Sequence, residues 1–232
     1  MLIKSKLLPN GLLVCIMLYI SFMILCYVFC NKEMIYPFHI ISNPGILMLP
    51  FALVTMDLIA EIYGYQVARK VFLLSLGVLA LFSLAVALLA DIPDPNNIVG
   101  DIPPSNYRNV FEIVPRVYLG FLVGMLIGIS INTKLLCRWK FLLNGKYFGL
   151  RCIAAFAIGD AICMLLATIV NTIGRYPTYY IIKFFVANYT VELIALIILA
   201  PLANMISHYL KQDVESGVAF NPFKVRSKGQ IL

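Results

Sequence analysis

Four carboxylates lie inside long apolar stretches of this chain: Asp57, Glu61, Asp160 and Glu192. A charge at mid-bilayer costs ~2.5–3.5 kcal/mol even on the most lenient scale, so such residues mark a site or a partner. Asp57 and Glu61 are four apart and share one helix face. Two carboxylates on one face repel unless a proton, a cation or a hydrogen-bond donor lies between them. The chemistry on offer is the acceptance of protons or donor groups inside a polar cavity. Arg116 and Lys183 are the basic residues expected near enough to pair with an acid, and Glu61 could instead snorkel to the interface. Thr55, Thr168, Asn171, Thr172, Asn188 and Thr190 add polar groups that would hydrogen-bond a solute or link helices. A rival reading makes Asp57 and Asp160 the dyad of an intramembrane aspartyl enzyme, two acids sharing one proton.

The elements that must position these groups follow from composition. The chain is 62% hydrophobic and 12% charged, with a mean hydropathy of +0.92. Soluble domains are nearer half apolar and a quarter charged. The apolar runs are long and lack period-2 alternation, which selects spanning helices over a barrel. Six runs are long enough: 12–29, 46–63, 71–90, 117–132, 152–173 and 182–206. The first is too long for a signal-peptide core and lacks a small-x-small cleavage site after it. Asp57 lies 11 residues past Ile46, about 16 Å down a helix and near mid-depth. If six spans alternate, thirteen of the eighteen basic residues fall on one side. The positive-inside rule then places both termini in the cytoplasm. The expected fold is all-α: one polytopic membrane domain over 1–232, a six-helix bundle with a short cytoplasmic tail at 207–232.

Several finer expectations attach to this frame. The loop from Asp91 to Pro115, rich in Pro and Asn, reads as irregular and exposed. Pro50 and Pro201 fall within spans and each removes a helical hydrogen bond, which predicts a kink or break. Gly120, Gly124 and Gly128 form a small-xxx-small stripe that lets two helix backbones approach. It reads as internal packing, with a homodimer second. Trp139, Tyr147, Tyr176, Tyr179 and Tyr180 sit near span ends, as an interfacial belt would. The six cysteines contain no CxxC and read as small buried apolar residues. The net charge of +7 reads as topology, so nucleic acid is not an expected partner. The chain carries no Walker A loop, HExxH or GxSxG. No metal, cofactor or catalytic residue is expected, and the chain is read as a non-enzyme.

The stretch Leu49–Phe72, LPFALVTMDLIAEIYGYQVARKVF, resembles the signature of the VUT family, the queuosine precursor transporters. Asp57, Glu61, Tyr63, Gly64, Ala68 and Arg69 match its acid, Tyr-Gly and basic positions. FAIGDAICMLLATI (Phe156–Ile169) is similar to the family's segment with an intramembrane Asp, here Asp160. FNPF (Phe220–Phe223) resembles the tail of many members, and Arg116 matches a basic position. Many members carry a Lys shortly before the last-span Pro; here the region reads NYTVELIALIILAP, with Glu192. The resemblance implies a multi-pass transporter of the cell (inner) membrane, importing 7-cyano-7-deazaguanine or its aminomethyl relative. Proton coupling through one acid is compatible with it. Asp57 or Asp160 would accept the two donors of the guanine-like edge in a two-point bond. Glu61 or Glu192 would pair the aminomethyl cation, and Tyr63 or Phe156 would stack on the ring. Asn171 and Asn188 complete the expected substrate contacts. The alternatives are a transporter or substrate-capture subunit for another purine or vitamin.

Overall fold

The computed structural model describes residues 10–30, 32–92 and 104–215. Among them, six helices are long and apolar enough to cross a membrane. In chain order the elements are α1 (Asn10–Phe29), a hairpin of β1 (Met34–Tyr36) and β2 (Ile40–Ser42), α2 (Met48–Tyr63), α3 (Tyr65–Ala90), the short α4 (Pro104–Phe111), α5 (Val114–Leu142), α6 (Phe148–Thr172) and α7 (Thr178–Glu215). The outward faces are apolar: Leu74 is 73% exposed, Leu81 68% and Ile198 70%, while Asp57, Glu61, Asp160 and Glu192 are buried. Exposed hydrocarbon around buried polar groups is the arrangement a bilayer demands.

α2 sits at the centre, with thirteen of its sixteen residues buried. It packs against α1, α3, α5 and α7. At 1.5 Å per residue it is about 24 Å long, and a 3-10 turn, Pro44–Leu47, extends it to the length of a span. Pro50 does not kink it. The proline is the third residue of α2, where a backbone N–H would lack a helical partner in any case. Pro201 lies inside α7, yet that helix runs unbroken to Glu215.

α2 and α3 are joined through one residue. Gly64 is the C-cap of the first and the N-cap of the second, at φ 88°, ψ 165°. That region is essentially closed to any side chain. A Cβ there would meet nothing within 4 Å, so the constraint lies in the backbone alone. Gly64→Ala should therefore lower stability by about 1–3 kcal/mol, read as thermal unfolding in detergent. Gly77→Ala, in an open position on α3, should instead be neutral or stabilising by up to about 1 kcal/mol.

The glycine stripe of α5 is buried against α6. A Cβ at Gly124 would collide with the carbonyl oxygen of Cys163, and one at Gly128 would lie 2.5 Å from that of Gly159. The internal-packing reading holds, and this stripe is not open to a second copy. All six cysteines are free thiols.

Other expectations change. α3 starts at Tyr65 rather than 71, because the turn at Gly64 takes no further residues. α5 runs ten residues beyond 132, carrying Lys134, Arg138 and Lys140 on its last turns. The expected tail at 207 is still helix as far as Glu215. The loop from Asp91 to Pro115 is not wholly irregular, since α4 occupies Pro104–Phe111. Residues 93–103, Lys4, Lys6 and the FNPF stretch lie outside the described residues.

Candidate functional site

One end of the bundle carries the basic connections, and the other carries the hairpin. A cavity of about 110 Å³ lies toward the hairpin end, walled by α1, α2, α5, α6 and α7. Its polar lining is Asn43, Thr168, Asn171, Thr172 and Asn188. Glu33, Arg175 and Tyr176 border it and are exposed. An aromatic ladder that begins just before α7 and continues along it forms one wall. Tyr176 and Tyr180 stack at 4.5 Å between ring centroids, and Tyr180 and Phe184 at 5.9 Å. The Tyr180 hydroxyl donates to Glu33 Oε1 at 3.3 Å. Tyr176 and Tyr180 thus face a cavity, whereas the interfacial belt alone was expected of them. Tyr147 and Tyr179, 68% and 73% exposed, keep the belt position.

The hairpin fixes the cavity's upper wall. Ser42 donates through its hydroxyl to Asn188 Oδ1, tying β2 to α7. Asn43 caps the turn into α2, accepting from the Ile46 N–H at 3.0 Å. Tyr36 donates to the Asn43 carbonyl at 3.1 Å.

Below the cavity runs a buried polar column. Glu192 lies one turn along α7 from Asn188 and is 0% exposed. It lies beside Asp160 of α6: Tyr189, three residues before Glu192, donates through its hydroxyl to the carbonyl of Ala157, three residues before Asp160, at 2.8 Å. Asp160 borders a void of about 10 Å³ together with Asn132, Gly128 and Phe156. Asn132 donates to Asp57 Oδ1 at 2.8 Å, and Cys152 sits beside Asp57. A distinctive inventory results. Among the described residues, the buried side-chain atoms without a hydrogen-bond partner include Asp57 Oδ2, Asn132 Oδ1, Asn171 Oδ1 and both carboxyl oxygens of Asp160 and of Glu192. All seven only accept when the acids are ionised; the remaining orphans are hydroxyls. Of these seven, Asn171 Oδ1 belongs to a residue that lines the cavity.

Glu61 is a different case. It is fully buried toward the basic end, and Arg151 grips it with two bonds of 3.1 Å. Lys211 donates to the same carboxylate, and Lys140 Nζ stands 3.8 Å away while donating to the Glu61 carbonyl. Glu61 does not snorkel to the interface; it is buried and held by three cations from α5, α6 and α7. Among the described residues Arg116 meets no acid. It donates through Nε to the Val170 carbonyl at 3.0 Å and through Nη2 to that of Ile173. It thereby satisfies carbonyls that the end of α6 leaves open.

Of the seven residues expected to contact a substrate, the structure places Asn171 and Asn188 on the cavity. Asp160 and Glu192 lie together beneath it, with Asp57 further down. Glu61 lies in the cation cluster. Tyr63 packs beside Gly11 at the basic end. Phe156 borders the small void, not the cavity. Asp57 and Asp160 do not face each other as a dyad, for Asp160 lies beside Glu192. Thr55, Thr172 and Thr190 bond the carbonyl four residues back in their own helices, at 2.7, 2.6 and 2.7 Å, and so link no helices through those bonds. Gly64 is the α2–α3 turn, and Arg69 is exposed on α3.

Sequence reasoning missed Asn132, Ser42, Asn43, Glu33, Arg151 and Lys211. Asn132 had a signal: it follows Gly128 by four and continues the glycine face. Arg151 and Lys211 were counted as flanking charges, and nothing local links them to Glu61.

Six helices able to span a membrane, around a buried polar column with a cavity at one end, define a multi-pass membrane protein. The profile of the family described as "Putative vitamin uptake transporter" matches residues 43–206. This chain belongs to that vitamin uptake transporter (VUT) family. No curated protein sequence and no solved structure matches it.

Proposed function

We propose that this protein imports a 7-deazaguanine queuosine precursor, 7-cyano-7-deazaguanine or its aminomethyl relative, across the cell (inner) membrane. The basic end faces the cytoplasm and the hairpin end faces out, as the positive-inside rule requires. The observation that carries the reading is the lining of the cavity, where a stacking wall stands with Asn171 and Asn188 and where Asn171 Oδ1 is a buried acceptor without a partner. A buried polar group without a partner costs about 1–3 kcal/mol, so the site favours a ligand that brings donors. A guanine-like edge brings an N–H and an amino group side by side. The cavity also suits a planar ring. Tyr176, Tyr180 and Phe184 offer a stacking wall, and Asn171 and Asn188 offer polar contacts opposite it. At about 110 Å³ it falls below the ~300–1,000 Å³ of drug-sized pockets, which limits it to a small solute.

The test is uptake of labelled 7-cyano-7-deazaguanine by the purified chain in liposomes. An analogue methylated on the donor edge should compete at least about tenfold less well than the parent, since a hydrogen-bonding site rejects a ligand that leaves its groups unpaired. Asn171→Leu and Asn188→Leu should each slow uptake by about tenfold or more. Equal competition by the methylated analogue would refute the donor-edge reading. Accumulation of a vitamin in place of the deazaguanine would retain the transporter and replace its substrate.

A further inference from the structure

The void beside Asp160 holds about 10 Å³. A single water needs about that much, so a heterocycle does not fit there in this conformation. Yet the most concentrated acceptor chemistry in the described bundle lies at that point. Asp160 is 4% exposed, Glu192 0% and Asn132 4%. Asn132 Oδ1 borders the same void and has no partner. The substrate cavity and these acids are thus two sites, not one.

The surroundings say what the lower site binds. Facing the pair from α1 is Cys26, from α6 Cys163 and from α7 Tyr189. The Tyr189 hydroxyl is already engaged, donating to the Ala157 carbonyl at 2.8 Å. From α5 comes Asn132, and through it Asp57 on α2. No lysine or arginine is among these groups. Arg151 lies nine residues back along α6, about 13 Å away, and grips Glu61. Two ionised carboxyls buried side by side, with none of their four oxygens partnered, would repel one another. One proton between them converts the repulsion into a hydrogen bond, with the protonated acid donating to its neighbour. A metal ion fits less well, because no cluster of three or more His, Cys, Asp or Glu side chains able to hold one occurs among the described residues.

We propose that the Asp160–Glu192 pair is the coupling-proton site of the transporter, distinct from the cavity that takes the substrate. The proton bonds to one carboxylate oxygen and is shared with the neighbouring acid. α7 links the two sites. Asn188 borders the cavity, and Glu192 lies four residues on, about 6 Å along the same helix. A substrate that shifts Asn188 therefore moves one half of the proton site. The assignment rests on the transport reading given above.

Two measurements test it, and one needs no substrate. The pH-difference infrared spectrum of the reconstituted protein should show a carboxylic-acid C=O band that changes on Glu192→Gln and on Asp160→Asn. Absence of any such band overturns the proposal, whatever the solute. The second is uptake of 7-cyano-7-deazaguanine into liposomes holding a pH-sensitive dye. The native chain should acidify the lumen as substrate enters and should accumulate it under an inside-alkaline gradient. In Glu192→Gln both should be lost, and the ratio of substrate exchange to net uptake should rise at least about tenfold. Accumulation driven by a sodium gradient and indifferent to pH would overturn the proton assignment while leaving import intact. If the native chain neither exchanges nor accumulates the deazaguanine, the substrate reading fails, and the infrared result alone decides the proton site.

Discussion

Replacing Glu61 with Gln should destabilise this protein more than replacing any of the other three buried acids. Arg151 is 2% exposed, and its guanidinium meets the Glu61 carboxylate at two points of 3.1 Å. It also donates to the carbonyls of Lys146, Leu136 and Gly145 at 3.0, 3.3 and 3.3 Å. Removing one partner of a buried pair strands the other and costs about 3–5 kcal/mol. Lys140 and Lys211 then add repulsion that the single carboxylate had offset. Thermal unfolding in detergent should show a large loss for Glu61→Gln and for Arg151→Met alone. The double variant should lose much less than the sum, because an apolar replacement of a whole buried pair is often tolerated. Additive losses would mean that the two groups do not act as a pair. The cluster ties α2, α5, α6 and α7 together at the basic end, while the cavity lies toward the opposite end.

The second large effect is on uptake. Asp57 is 1% exposed, and one oxygen accepts from Asn132 at 2.8 Å while the other has no partner. Asn at this position keeps the shape and removes the charge. A hydrogen bond to a charged group is worth about 1.5–3 kcal/mol, which corresponds to roughly 10- to 100-fold in rate. Asp57→Asn should therefore cut uptake by that factor while the protein still reaches the membrane in normal amount, and Asp160→Asn should do the same through the proton site. Full uptake by both variants would remove these acids from the transport cycle.

What the sequence disclosed and what it hid follow from the range of the interactions. A spanning helix declares itself locally, through some twenty apolar residues in a row, and the six spans were legible for that reason. The buried acids were legible because a charge in an apolar run is locally anomalous. The glycine stripe was legible in its spacing, though not in its partner, α6. Pairings were hidden. Glu61 meets Arg151 90 residues on and Lys211 150 residues on, and both cations looked like ordinary flanking charges. Asp160 and Glu192 were each visible, but their meeting depends on how α6 and α7 pack. The hairpin from Met34 to Ser42 was missed because each strand has three residues, too few to show alternation. The far end of α5 was missed because hydropathy falls after Asn132, where Lys134 and Arg138 are exposed and Lys140 turns to Glu61.

The central claim, import of a queuosine precursor, is tested most directly in a bacterium that can neither make nor import such precursors. Expressing this chain there and supplying each 7-deazaguanine in turn, one would measure queuosine in the tRNA. Queuosine should return with the native chain and return roughly 10- to 100-fold more slowly with Asp57→Asn. Native chain in the membrane, with no queuosine from any of the precursors, would contradict the claim.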